Sequence, residues 1–169
     1  MCIRDSINAK TMGVQVCAGS LNISGEKTAI TVTGDAVPKT GNDGAIEDGS
    51  AISIVERTGY KGLNAITVAD GKFTAKTGNE AVKAYKWESQ TEGKFTEAAK
   101  VSVSGGTFSS AVDKTLCADG YVPTTNTDGT YGVKEGSYVA AVGDEEDVYK
   151  RQPTGTSWWR ASGSSEAPV

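Results

Sequence analysis

Apolar and polar positions alternate along this chain in short runs: Val14-Gln-Val16, Leu21-Asn-Ile23, Ala29-Ile-Thr-Val32, Ala51-Ile-Ser-Ile-Val55, Ile66-Thr-Val68 and Val101-Ser-Val103. A period of two sends successive side chains to opposite faces, which is the pattern of a half-buried β-strand. The runs are closed by Gly, Asn or Asp, the residues that turn a chain. They also recur. Ile66-Thr-Val-Ala-Asp-Gly-Lys-Phe73 and Val101-Ser-Val-Ser-Gly-Gly-Thr-Phe108 correspond position for position, with Ile66 to Val101, Gly71 to Gly106 and Phe73 to Phe108 each 35 residues apart. Ala29-Ile-Thr-Val32 is spelled again at Ala65–Val68, 36 residues on, and Lys-Thr-Gly-Asn ends at Asn42 and at Asn79, 37 residues apart. Ala45-Ile46 and Ala81–Tyr85 follow those two turns as further strand candidates.

A unit of about three short strands in ~36 residues cannot bury its own apolar face, and stacking copies is the general remedy. The pattern therefore predicts an all-β chain: a short parallel β-helix of about 3–4 coils with a C-terminal helix and hairpin as its cap. Equivalent residues of successive coils would lie ~4.8 Å apart, placing Ile66 beside Val101, Val68 beside Val103 and Phe73 against Phe108. Asn42 and Asn79 would take the left-handed position that Asn tolerates and align their amides in a ladder. An antiparallel β-sandwich uses strands of the same kind but has no reason to keep a ~36-residue register.

Glu80–Trp87 and Phe95–Lys100 have helix-compatible composition; the first is read as strand over Ala81–Tyr85, with Glu88–Lys94 as a polar excursion. After Phe108 the pattern changes. Ser110 is placed to cap a helix over Ala111–Ala118 that buries Val112 and Leu116. Tyr121–Thr125 and Thr130–Val133, joined through Thr127-Asp-Gly129, read as a hairpin. An open coil end exposes apolar side chains and unpaired strand groups, which such a cap would cover. Gly136–Val142 is either one more strand or the start of a linker.

Composition agrees with strands and turns. Of 169 residues 21 are glycine and 37% are hydrophobic, a balance that many Gly-rich turns produce and a helical bundle does not. The formal charge of −4 comes from interspersed signs, which disfavours nucleic acid as a partner. No apolar run reaches the ~18–20 residues of a membrane span. Met1-Cys-Ile-Arg-Asp-Ser6 and Asp147-Val-Tyr-Lys-Arg-Gln152 can be encoded by one nucleotide string, GATGTGTATAAGAGACAG, in two frames. That string resembles a transposon end used as a sequencing-library adapter. On this reading residues 1–6 and 147–152 are artefacts to set aside, and Met1 is a false start of a longer protein. Residues 7–109 are then the repeat segment, 110–146 the cap and linker, and 153–169 a disordered tail from another insert. Ile7–Glu146 carries 13 basic and 18 acidic residues, a net of −5.

The run Gly105-Gly-Thr-Phe-Ser-Ser110, with Leu116, Asp119-Gly-Tyr121 and Asp128-Gly-Thr-Tyr131, resembles the end of a repeat block in large surface proteins of gut-type Gram-positive bacteria. Those proteins carry right-handed parallel β-helix segments rich in Gly-Gly-Thr-Phe turns. The likeness covers residues 60–134 well and 14–59 loosely. It implies an extracellular or cell-wall setting with further domains in the same parent chain, and it transfers no catalytic residue.

The chain contains no histidine, which removes the commonest general base, the Ser–His and Cys–His pairs and most zinc sites. No phosphate-cradling loop or EF-hand spacing is present, so no cofactor is expected. β-Helices also host polysaccharide lyases and glycoside hydrolases that work with carboxylates and bases on the outer face. The candidates here are Asp70, Glu80, Lys83 and Glu88, with Asp43, Glu47 and Asp48 as a cation cluster. Asp43-Gly44, Asp48-Gly49 and Asp70-Gly71 are equally turn dipeptides. If Val82 and Ala84 point inward, alternation sends Lys83, Tyr85 and Trp87 outward as a platform for sugar rings. In the alternative, Glu88–Lys94 and Phe95 cover Trp87. Cys17 and Cys117 lie close to three coils apart, ~14 Å along a stack, beyond the ~7 Å reach of a disulfide. They are expected to stay unpaired, with Cys17 in the core. The favoured reading is a non-catalytic structural or adhesive segment that binds cell-wall or host glycans if anything; the alternative is a fragment of a carbohydrate-active enzyme.

Overall fold

The computed structural model describes residues 6–42, 44–136, 138–140 and 149–151, in two compact units spanning 1–135 and 136–169. The first unit is a parallel β-helix. Its first coil is β1 (Ser6–Ala9), β2 (Val14–Val16) and β3 (Gly19–Ile23); its second is β4 (Ala29–Val32), β5 (Ile52–Arg57) and β6 (Leu63–Val68). The third coil is β7 (Lys72–Thr74), β8 (Val82–Glu88) and, after a side strand β9 (Thr91–Gly93), β10 (Val101–Val103); β11 (Thr107–Phe108) opens a fourth. Each coil contributes one strand to each of three sheets. The first holds β1-β4-β7-β11, the second β2-β5-β8 and the third β3-β6-β10, with every neighbouring pair parallel.

The strands alternate because one side chain in two enters the lumen, where another coil covers it. Ile30, Val32, Ile52, Ile54, Ile66, Val68, Phe73, Val103 and Phe108 are all almost fully buried. Val101 sits beside Ile66, Val103 beside Val68 and Phe108 beside Phe73. The two Phe rings stack with centroids 5.1 Å apart and planes inclined by 20°. The Gly-Gly turn before Phe108 is needed sterically as well as conformationally. A Cβ on Gly105 would collide with the Ala69 carbonyl of the coil below, and Gly106 holds φ +104°. Gly105→Ala is therefore expected to lower stability by about 1–3 kcal/mol through overpacking, read from urea unfolding against wild type.

Register differs from expectation in two places. The identical Ala29–Val32 and Ala65–Val68 do not stack: β4 lies between β1 and β7 in one sheet, whereas β6 lies between β3 and β10 in another. An Ala-Ile-Thr-Val run suits any sheet with one face buried, so its spelling carries no register. Residues 33–51 lengthen the second coil and break the ~36-residue period. Ala45-Ile46 is accordingly no strand; β8 pairs with Ile52–Arg57. Nor do Asn42 and Asn79 form a ladder. Asn79 donates to the Gly34 carbonyl and Asn42 accepts from the Gln90 N–H, while Gly41 and Gly78 take the positive φ.

The cap is a hairpin without a helix of the expected length. Of residues 111–118 only Lys114–Leu116 form a 3-10 turn, capped by Asp113, whose side chain accepts from the Thr115 N–H. Ser110 instead accepts from the Ala81 N–H at 2.7 Å, bracing the coil below. Val112 and Leu116 still enter the core, and Cys117 bridges in parallel to Val103. The hairpin of β12 (Tyr121–Thr125) and β13 (Tyr131–Glu135) closes the first sheet, with β13 antiparallel to β11. In the second unit β14 (Tyr138–Ala140) pairs antiparallel with β15 (Tyr149–Arg151). Of the segments read as adapter-derived or as tail, 1–5, 147–148 and 152–169 lie outside the described residues.

Candidate functional site

The outer face of the second sheet carries the residues singled out for sugar binding. Parallel register sets Gln15, Ser53 and Lys83 in one row, Val55 and Tyr85 in the next, and Arg57 and Trp87 beyond them. Alternation does send Lys83, Tyr85 and Trp87 away from the lumen, as expected. Exposure does not follow, because the 33–51 connection folds over this face. Tyr85 is only 2% exposed and belongs with Val55 and Ile46 to a second apolar cluster, against which Trp87 and Cys17 pack. Residues 33–51 supply this cover, and Glu88–Lys94 flanks Trp87 from the other side, with Glu92 directly across from it. That excursion forms a β8–β9 hairpin whose tight turn, Ser89-Gln90, has positive φ at both residues.

Polar contacts fasten the cover. The Gln15 amide donates to the Ile46 carbonyl at 2.9 Å and accepts from the Ile46 N–H at 3.2 Å, so one side chain acts as a strand partner. The Asp48 carboxylate accepts from Ser53 Oγ at 2.6 Å, from the Tyr85 hydroxyl at 2.9 Å and from the Ser50 N–H at 3.0 Å. Arg57, buried along its stem, donates to the Asn42 and Gly44 carbonyls, and the Trp87 indole donates to the Gly41 carbonyl. Burial, and next the Asp48 charge, raise the Tyr85 phenol above its ordinary range. Burial also raises the Cys17 thiol against an opposing pull from Arg57.

The remaining candidates are dispersed. Lys83 pairs with Glu92 at 2.7 Å, with its ammonium 4.7 Å from the Tyr85 ring centroid. Glu88 pairs with Lys86 and accepts from Thr58, contacts that hold its carboxyl below the usual range. Asp70 accepts from the Gly71 N–H in its turn, and Glu80 is exposed near the cap. Asp48 is committed to protein donors rather than to a cation cluster, Glu47 is exposed and Asp43 lies outside the described residues. Among the described residues, no three His, Cys, Asp or Glu side chains are grouped to hold a metal ion.

The sequence reading missed Tyr60. It is 51% exposed, with the Arg57 guanidinium 5.7 Å from its ring centroid, beside a shallow groove lined by Gly19, Gly59, Gly62, Lys61 and Asn64. The signal lay in Thr58-Gly-Tyr-Lys-Gly62, where glycines flank an aromatic at a turn and leave one ring face uncovered. No family model, curated protein or solved structure matches this chain.

Cys17 and Cys117 are free thiols. Burial first, and then the Asp113 carboxylate, push the Cys117 thiol up to about 11. Since the thiolate is the reactive form, alkylation of Cys117 by iodoacetamide, followed by peptide mass spectrometry, is expected to climb with each pH unit above 8. It should level only near pH 11. A plateau near the ordinary ~8.5 of a free thiol would contradict this.

Proposed function

We propose that this chain is a non-catalytic structural or adhesive segment of a secreted or surface-anchored bacterial protein. It acts as a stiff spacer that presents turns to cell-wall or host glycans. The observation that carries the reading is the continuous lumen ladder through Ile30, Phe73 and Phe108, because in-register coils fix the distance between their two ends. The Gly105-Gly-Thr-Phe108 turn and the likeness to bacterial surface repeats support the setting. Among the described residues, no helix is long and apolar enough to cross a membrane. Among the described residues, Tyr60 and the accessible part of Trp87 can stack on a sugar.

A glycan array probed with wild type, Tyr60→Ala and Trp87→Ala tests the adhesive part. Binding by wild type that falls at least about tenfold in one variant, the scale of a lost aromatic platform, is the expected result. Turnover of pectin- or mucin-type polysaccharide by the purified chain would favour the carbohydrate-active alternative and displace the proposal.

A further inference from the structure

Two of the three sheets reach the fourth coil: β11 extends the first beyond β7, and Cys117 extends the third beyond β10. The second sheet stops short. On its open side β8 meets only β9, and β9 covers Lys86–Glu88 alone. The ladder identifies which groups are left over. The Ile52 N–H donates to the Ala81 carbonyl, so parallel geometry turns the N–H and C=O of Lys83 and Tyr85 toward β5. Those of Val82 and Ala84 face the other way, where no strand of the described residues lies. They border a cavity of about 430 Å³ that is also lined by Phe95, Leu116, Glu80 and Asp113. Glu92, also in the lining, is held by Lys83, which leaves Lys94 as the lining's cation against two acids.

We infer that this slot binds an extended, cationic peptide segment from a partner protein, which adds to the edge of β8 as the missing fourth strand. The main chain of the segment pairs with Val82 and Ala84. Small apolar side chains settle against Phe95 and Leu116, and a lysine or arginine reaches Glu80 and Asp113. This is strand addition to an open sheet edge, in which backbone bonds supply affinity and alternate side chains supply selection. Ser110 at Ala81 and β9 at Lys86 close the slot at both ends. The length read is therefore about four residues. The proposal goes beyond the glycan reading and does not depend on it.

The test uses the full chain and an end-blocked tetrapeptide of alternating valine and lysine, followed by fluorescence anisotropy and by site-resolved amide exchange. The peptide should bind saturably and slow exchange at Val82 and Ala84 at least about tenfold. Of two forms N-methylated at alternate amides, one should lose about tenfold in affinity and the other should keep it, since only one edge of a strand faces β8. Glu80→Lys, at an exposed position, should weaken binding without altering the fold seen by circular dichroism. Four results would overturn the inference: no saturation, equal binding by both methylated forms, Val82 and Ala84 amides already protected in the free chain, or protection that tracks self-association instead of peptide.

Discussion

Phe73→Ala is expected to lower the unfolding free energy by about 3–5 kcal/mol, the upper range for losing a buried aromatic. Phe73 is fully buried, with Ile30 next to it in the coil below and Phe108 above. The hole left by truncation would be closed on both sides. The strands around it are held at fixed spacing by parallel ladders and cannot fall inward, so little of the cavity would be recovered. Glycine takes part in the same arrangement. A Cβ on Gly106 would stand 3.1 Å from the Phe73 ring and 3.2 Å from that of Phe108, so the Gly-x-Phe spacing makes the slot in which the rings stack. Urea unfolding of Phe73→Ala, Phe108→Ala and the double variant should return a coupling of about 0.5–1.5 kcal/mol, as expected for an aromatic pair. Additive losses would mean that the rings do not touch.

Asp48→Ala is expected to cost about 2–4 kcal/mol. It removes a charged acceptor from three donors, and charge-assisted bonds contribute about 1.5–3 kcal/mol each in a mutational series, without full additivity. The effect is one-sided: Ser53 is fully buried and Tyr85 nearly so, so both hydroxyls would be stranded away from water. The loss should appear locally first. Amides of residues 44–50 should exchange faster while those of β6 and β10 stay protected, because the cover is fastened outside the lumen. Asp48→Asn keeps an acceptor and should lose roughly half as much. If Asp48→Ala unfolds like wild type, the 33–51 connection is not secured by this carboxylate.

The lumen was legible because it is written twice in register. Ile66/Val101, Val68/Val103 and Phe73/Phe108 keep both their alternation and the turn between the strands, and a turn of fixed length leaves one way to stack. Ala29–Val32 and Ala65–Val68 lacked that second constraint. Nineteen residues, 33–51, separate β4 from β5, and no strand pattern could show that they fold back over the outer face. The same gap explains Tyr85. Alternation gives the direction of a side chain but says nothing of what a distant connection lays upon it. Gln15 and Asp48 looked like solvent-facing or turn residues, and only the long-range contacts of Ile46, Ser53 and Tyr85 show them as fasteners. At the cap, Val112 and Leu116 were readable as core. Ser110 was not, because its acceptor role is filled by Ala81 of the preceding coil.

The stacking itself can be read from a pair of engineered thiols. Thr67 lies beside Ser102 in adjacent coils of one sheet, whereas Thr31, its sequence twin, lies in another sheet. In the Thr67→Cys/Ser102→Cys chain, a short bifunctional thiol reagent followed by peptide mass spectrometry should join positions 67 and 102 rapidly. In Thr31→Cys/Thr67→Cys it should join nothing between those sites. Bridging of 31 to 67, or failure of 67 to meet 102, would contradict the β-helix described above.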